Sequence, residues 1–329
     1  MAKAEVFPWL AECRVHLCEL HRTQRLPHAL IVHGAQGIGK ANFATAFAHY
    51  LLCQSPQGDQ PCGSCKACEL NNVDGHPDLY LLEPDDIGKP IKVDQIRQLT
   101  DFICSTAQQG GYRVVIINPA DAMNVAAANA LLKMLEEPGK DTVLMLITDR
   151  LGQVMPTIKS RCQRVECPLP SEQVATDFVA QALSLDADEA QRLLRINNGA
   201  PMATLNYSES DQAEWRSQLV KGLADVLKQR RTVVEVAQAW QKADLELMLG
   251  WLYSMLVDIS RAKATENEAL KQEDAHNMLV AVSRKTNPAK VFELASLVQE
   301  ERKSLILRQN TNKQMLLERI LLAWSAIVR

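Results

Sequence analysis

Four cysteines and one glycine-rich loop are the residues here whose types and spacing imply chemistry. Cys53, Cys62, Cys65 and Cys68 follow the spacing C-x8-C-x2-C-x2-C. Four thiolates within sixteen residues suit a tetrahedral Zn²⁺ site, and Gly58 and Gly63 permit the bends. A closed set of four sulfurs leaves no open position for water, so such a site is structural. The alternatives are free or disulfide-forming thiols, or an iron–sulfur cluster. Cys13, Cys18, Cys104, Cys162 and Cys167 lack metal spacing and read as core or surface thiols.

The loop is HGAQGIGKANFA, His33 to Ala44. Gly34, Gly37, Gly39 and Lys40 are placed to cradle a phosphate at a helix N-terminus. A working phosphate-binding loop continues with Ser or Thr, whose hydroxyl ligates Mg²⁺; this chain has Ala41. A carboxylate pair should also close a later strand to hold the metal and orient water. The strand RVVII instead runs into Asn118 and Pro119, and Asp121 lies too far on to replace the pair simply. The loop is retained while parts of the reaction centre are missing.

These residues need a scaffold. Apolar runs at 28–34, 78–84, 113–118 and 142–148 read as strands, separated by helical stretches at 41–52, 93–107 and 127–137. Such alternation implies a parallel sheet with helices on both faces, an α/β core. Beyond about 166 the signals are helical: 171–183, then 186–199 with a capping box of Asp186 and Glu189, then 232 onward with Thr232 and Glu235. Further helical stretches cover 244–262, 287–301 and 312–329. In the last, Leu316, Ile320, Ala323, Trp324 and Ile327 read as core or subunit contact.

Bulk composition narrows the class. The 329 residues suggest two or three domains. Lys and Arg number 36 against 39 Asp and Glu, and the net charge of −3 argues against a free-standing DNA binder. It leaves room for a DNA contact made through a larger complex. No apolar run approaches the roughly 18 residues of a membrane span. Without a cleavable apolar leader, nine cysteines point to a reducing, cytoplasmic setting.

Several motifs together resemble the clamp-loader branch of the AAA+ family. They are NALLKMLEEP at 129–138, SRC at 160–162, HPD at 76–78, VDQIRQL at 93–99 and the four-cysteine knuckle after the first helix. The resemblance implies an AAA+ core over 1–166 with the cysteine module inserted at 53–68, a small helical lid over 167–207, and an all-α collar over 208–329. It implies partners: ATPase motor subunits and a clamp-opening subunit in a five-subunit ring that places a sliding clamp on primed DNA, within a DNA-directed DNA polymerase holoenzyme. It also implies that Arg161 of SRC reaches the γ-phosphate of a neighbouring ATPase. Taken alone, those three residues would be a helix end with a solvated Arg161. In the lid stretch NNGAPMATL, Met202 stands where active members carry Arg. Four parts of the ATPase are therefore absent, at Ala41, Asn118, Pro119 and Met202. The expectation is a catalytically silent stator, with weak metal-independent nucleotide binding at Lys40 as the alternative to none. An active motor subunit and a zinc-dependent nucleic-acid adaptor remain the rival readings.

Overall fold

The computed structural model describes residues 2–86, 89–264, 270, 272–306 and 312–328. The side chain of Cys104 and the terminal Arg329 of the expected last helix lie outside them. The chain forms two compact units, Met1–Val174 and Ala175–Arg329.

Five parallel strands build the first unit: β1 (Ala29–His33), β2 (Leu79–Leu82), β3 (Arg113–Ile117), β4 (Thr142–Thr148) and β5 (Gln163–Glu166), in the order β2-β3-β4-β1-β5. Between them run α1 (Ala11–Arg22), before β1, then α2 (Lys40–Leu52), α3 (Lys66–Asn72), α4 (Val93–Cys104), α5 (Val125–Glu136) and the single turn α6 (Pro156–Lys159). Side chains of a strand alternate between faces. Ile31, Val115, Ile117, Leu144 and Leu146 join one core with Ile96 and Leu99 of α4 and Leu131 and Leu135 of α5. Leu30, Val32, Val114, Ile116, Met145 and Ile147 point to the other face and are all buried. There α2 packs on β1, β3 and β4. Burial on both faces is why β1, β3 and β4 are continuous apolar runs.

The expected helix over 93–107 stops at Cys104. The buried Asp78 carboxylate accepts the backbone N–H groups of Gln108 at 2.8 Å and Gln109 at 2.9 Å, and this draws the chain out of the helix. The HPD motif thereby acquires a structural role, since the Asp78 N–H also donates to His76 Nδ1 at 3.1 Å.

The second unit is helical throughout its described residues: α7 (Glu172–Leu183, whose first turn lies in the first unit), α8 (Ala187–Ile196), α9 (Pro201–Glu209), α10 (Gln212–Leu227), α11 (Val233–Trp240), α12 (Leu245–Ala264), α13 (His276–Lys285), α14 (Pro288–Ile306) and α15 (Lys313–Ala326). Ala175 and Val179 of α7 and Ala190 and Leu194 of α8 form a small core. A larger one gathers Leu219, Leu223, Trp240, Leu252, Met255, Leu279, Leu317 and Trp324. Leu316, Ile320, Trp324 and Ile327 are buried within this unit, and Ala323 packs against the same core. The buried indole of Trp324 donates to the Leu223 carbonyl at 3.0 Å. Thr232 and Glu235 form the full capping box. At Asp186 only one half of the box is present, Glu189 N–H donating to its carboxylate at 2.8 Å. No described helix is long and apolar enough to cross a membrane.

Candidate functional site

Three places carry the chemistry the sequence points to, and all lie in the first unit. The cysteine module begins where α2 ends. Cys53 terminates α2, Cys65 caps α3 and Cys68 lies in its first turn. Gly58 and Gly63 turn with φ of +62° and +76°, a region that disfavours side chains. The four sulfurs lie within 4.8 Å of one another, with Cys53–Cys65 and Cys62–Cys68 at 3.9 Å and Cys65–Cys68 at 3.5 Å. A tetrahedron with metal–sulfur bonds of ~2.3 Å has an edge of about 3.8 Å, so the four thiols fit a closed tetrahedral ion. None of the four is joined in a disulfide, whose sulfurs stand ~2.05 Å apart. A backbone N–H at Ser64 helps hold the Cys62 thiol down to about 5, whereas burial pushes Cys68 up to about 12. Asp59 ties the module to α1, by an ion pair to Arg14 at 3.0 Å and a carbonyl contact with Cys18 Sγ at 3.8 Å.

The glycine loop joins β1 to α2. Gly37 and Gly39 take φ of +75° and +85°, and Gly39 caps α2. Trp9 Nε1 donates to the Ile38 carbonyl at 2.9 Å and pins the loop. Lys40 does not face solvent. Its side chain is 3% exposed, and Nζ donates to the carbonyls of Gly34 at 3.0 Å and Ala35 at 2.5 Å and pairs with Asp149 Oδ1 at 2.6 Å. Sequence reasoning missed Asp149. The signal was register: β1 and β4 run parallel with His33 beside Thr148, which sets Asp149 level with the start of the loop.

Gly34 has a reason to be glycine that involves no phosphate. A Cβ there would stand 2.3 Å from the backbone carbonyl oxygen of Cys167. Backbone on both sides cannot yield as a flexible side chain would. Gly34→Ala is expected to destabilise the first unit by an amount at the upper end of the ~1–3 kcal/mol typical of overpacking. Urea unfolding of the full chain, followed by hydrogen exchange in β1 and β4, measures it.

At the end of β3, Asn118 Nδ2 donates to Glu83 Oε1 at 3.2 Å. Asp121 is held elsewhere: Thr148 Oγ1 donates to its carboxylate at 2.6 Å, and Arg150 lies 3.8 Å away. It braces the end of β4. Ala41 occupies the first turn of α2. Met202 opens α9 in the second unit, without a cationic group at that position.

Arg161 follows α6. Nε and Nη2 donate to Glu136 Oε1 at 3.0 and 2.6 Å, and Nη1 donates to the Thr157 carbonyl at 3.0 Å. The Arg161 side chain is 36% exposed and that of Glu136 53%. Its partner Glu136 is the last residue of α5 and lies within the stretch NALLKMLEEP, where the sequence alone points to no role for it.

Residues 11–170 match the family described as DNA polymerase III, delta subunit, and residues 210–326 match DNA polymerase III, delta subunit, C terminal. The chain is similar to the DNA polymerase III subunit delta' of Pseudomonas aeruginosa, 37% identical over 326 residues and 98% of each chain. It is 32% identical to the subunit of that name from Escherichia coli (strain K12), over 92% of this chain and 86% of that one. A gamma subunit-related protein of DNA polymerase III from Thermotoga maritima aligns over 95% of this chain and 99% of its own, at 20% identity and a TM-score of 0.44. The chain belongs to the DNA polymerase III delta' subunit family.

Proposed function

We propose that this delta' family member is the catalytically silent stator of a clamp loader. It supports ATP-driven placement of the sliding clamp on primed DNA and supplies Arg161 to a neighbouring subunit's ATP. In this reading residues 1–166 are the AAA+ core, 167–207 the lid and 208–329 the collar of a five-subunit ring. DNA is met through the complex, in the cytoplasm. The module at 53–68 holds one structural Zn²⁺, through Cys53, Cys62, Cys65 and Cys68.

The observation that carries the silent reading is the fate of Lys40. Its ammonium is fully engaged by Asp149 and two loop carbonyls. A phosphate has to displace those contacts first. Hydrogen bonds to a charged group are worth about 1.5–3 kcal/mol, so displacing one alone weakens nucleotide binding about 10- to 150-fold. Ala41, Asn118, Pro119 and Met202 then leave no metal ligand, no water-orienting acid and no lid arginine at the expected positions. Losing one preorganised group costs roughly 10²–10³ in rate.

The pure chain is therefore expected to hydrolyse ATP no faster than background, with Lys40→Ala leaving the rate unchanged. Turnover that Lys40→Ala abolishes would sink the silent reading, because only a site using this loop responds to that variant.

A further inference from the structure

A groove of about 540 Å³ opens between α10 and α13 in the second unit. Binding sites have that size, roughly 300–1,000 Å³. Val220, Ala224 and Leu227 form its wall on α10; their spacing of i, i+4 and i+7 puts them on one helix face. Met278, Ala281 and Val282 form the wall on α13. Val282 belongs to the core, whereas Val220, Ala224, Leu227 and Met278 are half-buried and Ala281 is exposed. The apolar faces of two helices are thus left partly uncovered on either side of one groove.

The charges around it are unequal. Glu273 and Asp274, in the turn that leads into α13, are its acids. Both are already matched. Glu273 pairs with Arg192 at 2.7 Å and Arg195 at 3.0 Å, and Asp274 pairs with Arg216 at 2.8 Å. Lys228, at the C-cap of α10, and Lys285, the last residue of α13, also line the groove. Both are exposed, and neither is ion-paired among the described residues. Two carboxylates held by three guanidiniums, with two free ammoniums beside them, leave a positive surplus.

We propose that this groove binds an acidic, amphipathic helix of a partner protein. Apolar side chains of that helix fill the groove, and Glu or Asp along its edge meets Lys228 and Lys285. The occupant is helical because α10 and α13 use their backbone hydrogen bonds internally, so an extended strand would find no backbone partner there. It is acidic because a basic helix would meet like charge at both free lysines. The groove shares no residue with the glycine loop, the cysteine module or Arg161.

The test is the fluorescence anisotropy of a labelled, hydrocarbon-stapled helical peptide titrated with the full-length, zinc-replete chain. The peptide carries Leu at i, i+3, i+4 and i+7 and Glu elsewhere. It is expected to bind with a Kd on the order of 10 μM, more weakly as salt rises. The same peptide with Lys in place of Glu is expected to bind about tenfold more weakly, and Lys228→Glu combined with Lys285→Glu to reverse that preference. Ala281→Trp, at an exposed position, fills the groove and is expected to abolish binding while the thermal unfolding transition stays in place. Absence of binding, equal binding of the two peptides, or undiminished binding to Ala281→Trp overturns the proposal. So does a peptide that fails to bind while Ala281→Trp blocks self-association or entry into the clamp-loader ring, which assigns the groove to a second copy or a neighbouring subunit.

Discussion

Stripping zinc from the cysteine module, or replacing Cys68 with Ser, is expected to unfold residues 53–72 while the five-stranded sheet survives. The module has little else to hold it. Residues 54–61 are almost all exposed, and α3 is a seven-residue helix, shorter than an isolated helix can sustain in water. Only Ala67, Cys68 and Asn71 of α3 are buried. Structural zinc supplies on the order of 10–16 kcal/mol of apparent binding energy in small modules at neutral pH, more than the Arg14–Asp59 pair can replace. The sheet core of Ile31, Val115, Leu144 and Leu146 does not include the module, so the loss stays local. Metal analysis should find one zinc per chain, and hydrogen exchange after chelation should rise across 53–72 and the facing side of α1. Purified protein without zinc and with four freely titrating thiols contradicts this, as does unchanged exchange after the metal is removed.

What could be read from the sequence depended on whether a feature is local. Cysteine spacing is local, and the four sulfurs meet. β1, β3 and β4 announce themselves because burial on both faces demands apolar runs. β5 escaped notice because it is an edge strand in which only Val165 is buried among Gln163, Arg164 and Glu166. α1 escaped for a similar reason, since only Leu17 and Cys18 of its twelve residues are buried. Yet α1 contacts both the module and the glycine-loop side of the sheet. The pairs Lys40–Asp149, Arg161–Glu136 and Arg14–Asp59 join distant segments, and strand register or helix packing decides them. A motif can announce a lysine in a phosphate loop. Only the fold reveals that its charge is already matched.

Arg161 carries the other large effect. In the isolated chain it rests on Glu136. Both side chains are more than a third exposed, and such surface pairs are worth about 0–1 kcal/mol. Leaving Glu136 for a neighbour's γ-phosphate therefore costs little. What it would contribute there is far larger: an arginine supplied from outside stabilises the charge spread over the γ-oxygens and is worth roughly 10³–10⁵ in rate where GTPases use one. Glu136→Ala is expected to leave activity near the native level, because the resting partner is dispensable. Arg161→Lys should rescue poorly, since an ammonium lacks the planar fork that engages two oxygens.

The most direct test of the stator reading is the steady-state, DNA-stimulated ATPase of reconstituted clamp-loader rings carrying Arg161→Ala in this chain alone, with clamp loading followed in parallel. Folding, zinc content and ring assembly should match wild type. Both rates should fall several-fold, by less than the loss at the single affected site because the other sites keep their own arginines. Rings of normal composition with unchanged ATPase and clamp loading would show that Arg161 is only a surface residue paired with Glu136, and that this chain does not act on its neighbour's nucleotide.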